Sequence, residues 1–127
     1  MEMKIHKKRS IFINRSQDLK KEPNMPDHES THLVCVAEFK ALEDKSDELV
    51  ESLHALMNPT HKEPGCLRYE LNQLADDPSV ITFIEKWRDR EAFDLHCATH
   101  YIKHFFDEVR PHLVERFEVK LYKEILP

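Results

Sequence analysis

The stretch Val80-Ile-Thr-Phe-Ile-Glu-Lys-Trp-Arg-Asp-Arg-Glu-Ala-Phe-Asp-Leu-His-Cys-Ala-Thr-His100 decides how the chain is read. It opens as a strand and ends as a helix. Side chains alternate along a strand, so Thr82, Ile84, Lys86 and Arg88 share one face and Ile81, Phe83, Glu85 and Trp87 the other. One face therefore sets a carboxylate beside two large aromatic rings. An Asp-Arg-Glu turn follows, with Asp89 suited to cap the next helix. On that helix Ala92 and His96 share a face at i, i+4. Carboxylate, tryptophan and histidine can converge on one pocket only if the helix folds back over its own strand.

The flanking elements supply that arrangement. His32–Lys40 is rich in β-branched and apolar residues and predicts the first strand. Leu42 to Asn58 predicts a helix with an apolar stripe of Leu49, Val50, Leu53, Leu56 and Met57, acidic early turns, and an end at Pro59. The loop Thr60–Cys66 contains Gly65, the single glycine of the chain. Its Pro-Gly pair predicts a tight turn with positive φ at the glycine. Leu67–Leu74 predicts a second strand, and Ala75-Asp-Asp-Pro-Ser79 a hairpin loop joining it antiparallel to the quoted strand. After the His96 helix, Thr99 can cap another, His100 to about Arg110, carrying Ile102, Phe105, Phe106 and Val109. Pro111 interrupts it, Pro111–Glu115 adds one turn, and Phe117–Leu126 alternates as a last strand. The order β-α-β-β-α-β is the split-βαβ, ferredoxin-like pattern of an α+β fold: a four-stranded antiparallel sheet with helices on one face. The other face must meet a second subunit or a ligand.

A chain of 127 residues, 40% hydrophobic and 34% charged, fits one globular domain with a modest core, the kind that gains stability by pairing. Residues 1–31 read as an N-terminal tail expected to be flexible, with Ile11–Ile13 a candidate short strand and Met25 a candidate alternative start; residues 32–127 form the domain. Net charge is −5, but residues 1–25 hold seven Lys/Arg against three acids, leaving an acidic body. An acidic body argues against nucleic acid as a partner. Apolar runs are too short for a signal-peptide core or a membrane span. Cys35, Cys66 and Cys97 are odd in number with no CxxC pair, which suits reduced thiols in the cytoplasm. A single glycine leaves no Gly-rich phosphate loop. His96 and His100 lie at i, i+4, but no HExxH glutamate accompanies them and Thr99 breaks the helix between them, so no metal and no cofactor are expected.

Glu63-Pro-Gly-Cys66 with Tyr69, then Phe83-Ile-Glu85-Lys-Trp87, then Ala92, His96 and Thr99-His-Tyr101, in this order and spacing, resemble the antibiotic biosynthesis monooxygenase domain family over about residues 32–124. The resemblance implies a dimeric α+β barrel made by two stacked sheets, with a pocket between sheet and helices in each subunit. It also implies cofactor-independent oxygenation of a quinol or another small phenol. Haem-degrading members use an asparagine on the first strand; Leu33–Glu38 has none, which argues against that activity here. His96 is then the candidate base and Glu85 its companion, either as a proton-exchanging group with a raised pKa or as a buried structural ion pair. Trp87, Phe83, Tyr69, Phe39 and Phe105 are candidate pocket walls, and Asn72 could orient a substrate oxygen. Two alternatives stay open. One is a proton-transfer isomerase of a small carbonyl compound, phosphorylated or not, with Arg68 or Arg88 for a phosphate. The other is a non-catalytic ligand-binding dimer module.

Overall fold

Period-two burial organises the sheet. In β3 (Val80–Trp87), Ile81, Phe83, Glu85 and Trp87 are buried and the alternate residues half-buried. The computed structural model describes residues 29–127; the candidate strand Ile11–Ile13 and the rest of the tail through residue 28 lie outside them. β1 (Glu29–Ala41) begins three residues before the predicted start. β2 (Cys66–Gln73) and β4 (Val114–Ile125) complete one sheet of order β2-β3-β1-β4, every neighbour antiparallel. This is the ferredoxin-like arrangement, and β3 is one of its two central strands. Cys35, Ala37, Phe39 and Ala41 of β1 fall on the same face as the buried residues of β3 and form the core with them. Val34, Val36, Ile84 and Lys86 lie on the opposite face, half-buried.

The helical layer departs from its prediction at both prolines. In place of one helix over 42–58 there are two, α1 (Ser46–His54) and α2 (Met57–His61). Asp44, at φ 64°, holds the preceding turn in a left-handed conformation that no helix continues through. Pro59 does not end a helix; it sits in the first turn of α2, where an N–H would have no intrahelical acceptor. Farther on, α3 (Arg90–Cys97) is capped by Asp89, whose carboxylate accepts from the Ala92 amide at 2.9 Å, and α4 (His100–His104) by Thr99. Phe105–Val109 is π-helical and runs directly into α5 (Arg110–Leu113). Pro111 therefore does not interrupt the helix. The wider turn absorbs it: the Arg110 amide reaches back five residues to the Phe105 carbonyl. The Phe106 carbonyl, which would next face the N–H that proline lacks, accepts from Arg110 Nε at 3.1 Å instead.

Gly65 is also explained differently from its prediction. Its φ is not positive. What requires glycine is proximity: a Cβ there would lie 2.3 Å from the Ala92 Cβ. The Gly65 carbonyl accepts from the Arg88 amide at 2.8 Å, so the loop entering β2 is pinned against the start of α3.

Gly65→Ala is expected to destabilise the fold by about 1–3 kcal/mol, the usual range for overpacking. Adding Ala92→Gly should recover most of that loss while retaining a helix penalty of about 1 kcal/mol. Urea unfolding of the two variants and the wild type checks this; a Gly65→Ala midpoint equal to wild type would show that the loop is not seated on Ala92.

Candidate active site

Across the helix-covered face, Tyr69, Glu85, Cys35 and Leu121 align in one row of four strands. Glu85 is thus a carboxylate between a phenol ring and a thiol, with Phe83 and Trp87 above and below it on its own strand. It is 4% exposed. Trp87 Nε1 donates to Glu85 Oε1 at 2.9 Å, across the i, i+2 spacing that keeps both on one face. Burial is the largest influence on its pKa and pushes it up. His96, the Trp87 indole and the Cys35 thiol oppose that push, while the charge of Glu63 adds to it.

His96 reaches the same place from α3. It is 4% exposed, its ring centroid 4.5 Å from that of Trp87 and 5.4 Å from that of Tyr69. Its Nδ1 lies 3.0 and 3.2 Å from the two oxygens of Glu63. The Tyr101 hydroxyl donates to Glu63 Oε2. Burial, then this hydrogen bond and the carboxylate charge, push the Tyr101 phenol up to about 12. Glu63 stands two residues before Gly65, so the Gly65–Ala92 contact brings it to His96, one helical turn beyond Ala92.

Between sheet and helices lies a cavity of about 30 Å³. Glu85 and His96 line it together with Tyr69, Phe83, Phe39 and Phe105, and no Lys or Arg is among its described lining residues. The walls are therefore aromatic and aliphatic, with one histidine and one carboxylate facing in.

A sequence model of the antibiotic biosynthesis monooxygenase family matches residues 32–108. The chain belongs to that family. SO0527 of Shewanella oneidensis is similar at 44% identity and a TM-score of 0.76, covering 77% of this chain and 95% of that one. PA3566 of Pseudomonas aeruginosa is 30% identical, with a TM-score of 0.71 over 77% of this chain and 98% of the other. A solved structure described as an antibiotic biosynthesis monooxygenase is 30% identical, with a TM-score of 0.67, covering 75% of this chain and 99% of that one.

Within this family member, six of the eight residues singled out from sequence meet at the cavity. Trp87 does not line it; fully buried, it stands behind Glu85 and His96, holding one by hydrogen bond and the other by ring contact. Asn72 is not at the cavity. Period two puts it opposite Thr82 on the other sheet face, exposed, with its amide donating to the Glu70 carbonyl. Arg68 and Arg88 also lie outside, exposed and paired with Glu70 and Asp89. Sequence reasoning passed over Glu63 and Tyr101 as site residues. Their signal was the lone glycine: a Pro-Gly that marks a close approach also fixes its neighbours. Cys35 and Cys97 line the cavity as well, and burial raises both thiols above their ordinary value.

The raised Glu85 value has a consequence for stability. Between the ordinary value of 4.5 and the higher native one, the folded chain holds a proton that the unfolded chain has released. This contribution is complete below the ordinary value and is lost as pH rises through the native one. Glu85→Gln keeps an acceptor for Trp87 and removes the titration. Its Tm should gain on the wild type as pH is raised from about 4.5 toward neutrality. A Tm difference independent of pH would mean that Glu85 ionises in the folded state without penalty.

Proposed function

We propose that this chain is a cofactor-independent oxygenase of an uncharged, electron-rich ring, a quinol or similar small phenol, with His96 as the base. The observation that carries the reading is the cavity itself: aromatic walls, a histidine and a carboxylate facing in and, among the described residues, no cation for a phosphate. That last feature weighs against the phosphosugar-type isomerase, since Arg68 and Arg88 face away from the cavity.

The chemistry balances without a further reductant. His96 takes a proton from a ring hydroxyl, and the resulting anion passes one electron to O₂. The radical pair combines at a ring carbon to give a peroxide anion, which the imidazolium protonates to a hydroperoxide. The O–O bond then breaks as that carbon's hydrogen passes as a proton to the departing hydroxide, so water is lost and a quinone one oxygen richer remains. One quinol and one O₂ become one hydroxyquinone and one water. Apolar walls suit this sequence because they exclude water from the reactive anion.

A cavity of about 30 Å³ is far smaller than the roughly 300 Å³ or more of ordinary ligand pockets, so ring binding requires the helical layer to yield. Phe105 and Phe106 cover the cavity from the π-helical segment, the least regular part of that layer. Two further parts belong to the same reading. Stacking of two open sheet faces, with Val34, Val36 and Ile84 at the contact, makes a homodimeric barrel. The three free cysteines suit the reducing cytoplasm; no described helix is long and apolar enough to cross a membrane.

O₂ uptake with menadiol tests the function. Protein-dependent uptake is expected, reduced by about 10²-fold or more in His96→Ala, the usual contribution of a general base. No uptake above the spontaneous rate, or uptake indifferent to His96→Ala, would overturn the reading. Sedimentation at twice the monomer mass is expected for the barrel.

A further inference from the structure

We propose that Glu63 and Tyr101 are positioning residues that lock His96 in its Nδ1–H tautomer, so that Nε2 meets the substrate with its lone pair. The proposal rests on His96 being the base, and it concerns two residues that the reaction outlined above does not itself require.

The geometry is specific. Glu63 Oε2 is shared by His96 Nδ1 at 3.0 Å and the Tyr101 hydroxyl, and Oε1 lies 3.2 Å from the same Nδ1. A carboxylate only accepts, so two donors must face it. The phenol supplies one and the Nδ1 proton the other. An imidazole that spends its single proton on Nδ1 presents Nε2 as an acceptor. The Glu63 side chain is 14% exposed and that of His96 is 5% exposed. Their pair is thus largely shielded, which strengthens the preference for one tautomer. Tyr101 also approaches the Pro59 carbonyl at 3.4 Å, tying the carboxylate clamp to α2.

The arrangement also fits the proton balance. His96 accepts the ring proton at Nε2 and becomes an imidazolium, whose charge Glu63 offsets through Nδ1–H. It then returns the same proton to the peroxide anion. The net change at His96, Glu63 and Tyr101 over a turnover is zero, so no path to solvent is needed. Other groups face His96: Glu85 from β3, Tyr69 from β2 and the indole of Trp87. Glu85 takes its hydrogen bond from Trp87, which leaves Glu63 as the carboxylate bonded to His96.

Ring nitrogen-15 chemical shifts of His96 in the substrate-free protein read the tautomer directly. The wild type is expected to show a protonated Nδ1 and an unprotonated Nε2 at a pH where the ring is neutral. Glu63→Gln is expected to give mixed tautomers. An Nε2–H tautomer in the wild type overturns the proposal, even if Glu63→Gln fails to fold. So does an unchanged tautomer in a folded Glu63→Gln. Kinetics with menadiol add a second readout. Glu63→Gln should lower kcat by about 10²-fold, with KM little changed. Glu63→Asp should restore part of kcat, and Tyr101→Phe should cause a smaller loss of the same kind. Wild-type kcat in both Glu63→Gln and Tyr101→Phe also overturns it. If menadiol proves not to be a substrate, the function fails while the tautomer measurement still decides the role of Glu63.

Discussion

Glu85 is a carboxylate inside the helix-covered face of a sheet, and an ion taken from water without partners costs several kcal/mol even after relaxation. Three neighbours of Glu85 answer that cost. Trp87, two residues along the same strand, donates from its indole; Cys35, paired with Glu85 on β1, and His96, able to carry positive charge, favour the ionised form. Each of these positions follows from register. A one-residue slip of β3 against β1 would turn Glu85, Phe83 and Trp87 to the other face together. The same alternation that builds the core therefore builds the polar end of the cavity.

A second constraint acts between loop and helix. Gly65 and Ala92 approach more closely than any two larger residues could. Their contact sets the distance between the β2 entry loop and α3, and with it the distance between Glu63 and His96. The two carboxylates near His96 are thereby held by different devices. Glu85 is placed by strand register, deep in the core. Glu63 is placed by a glycine–alanine contact, nearer the surface.

The element order and the faces of the central strands were legible because burial on one sheet face writes a period of two into the sequence. Asp89 and Thr99 declared their caps for the same kind of reason: a short polar side chain directly before an apolar helix. Legibility failed where tertiary contact, not local pattern, decides. Pro59 and Pro111 read as helix stops, yet one falls where no amide is needed and the other is absorbed by a π turn and the Arg110 side chain. Gly65 read as a φ requirement and proved to be a volume requirement. Asn72 is the exception: local strand parity alone turns it away from the face of Tyr69. Glu63 went unweighted because nothing local tells a loop glutamate that a histidine waits 33 residues on.

The pairing of Trp87 with His96 carries one more consequence. The chain has a single tryptophan, and its ring lies against the histidine at the cavity and bonds to the buried carboxylate. An imidazolium draws electron density from an excited indole far more strongly than a neutral imidazole does. The intrinsic emission of this protein therefore reports on one microenvironment, with no competing fluorophore of its kind. The side chain that fastens the carboxylate also makes the state of the histidine visible to light, without a label and without turnover.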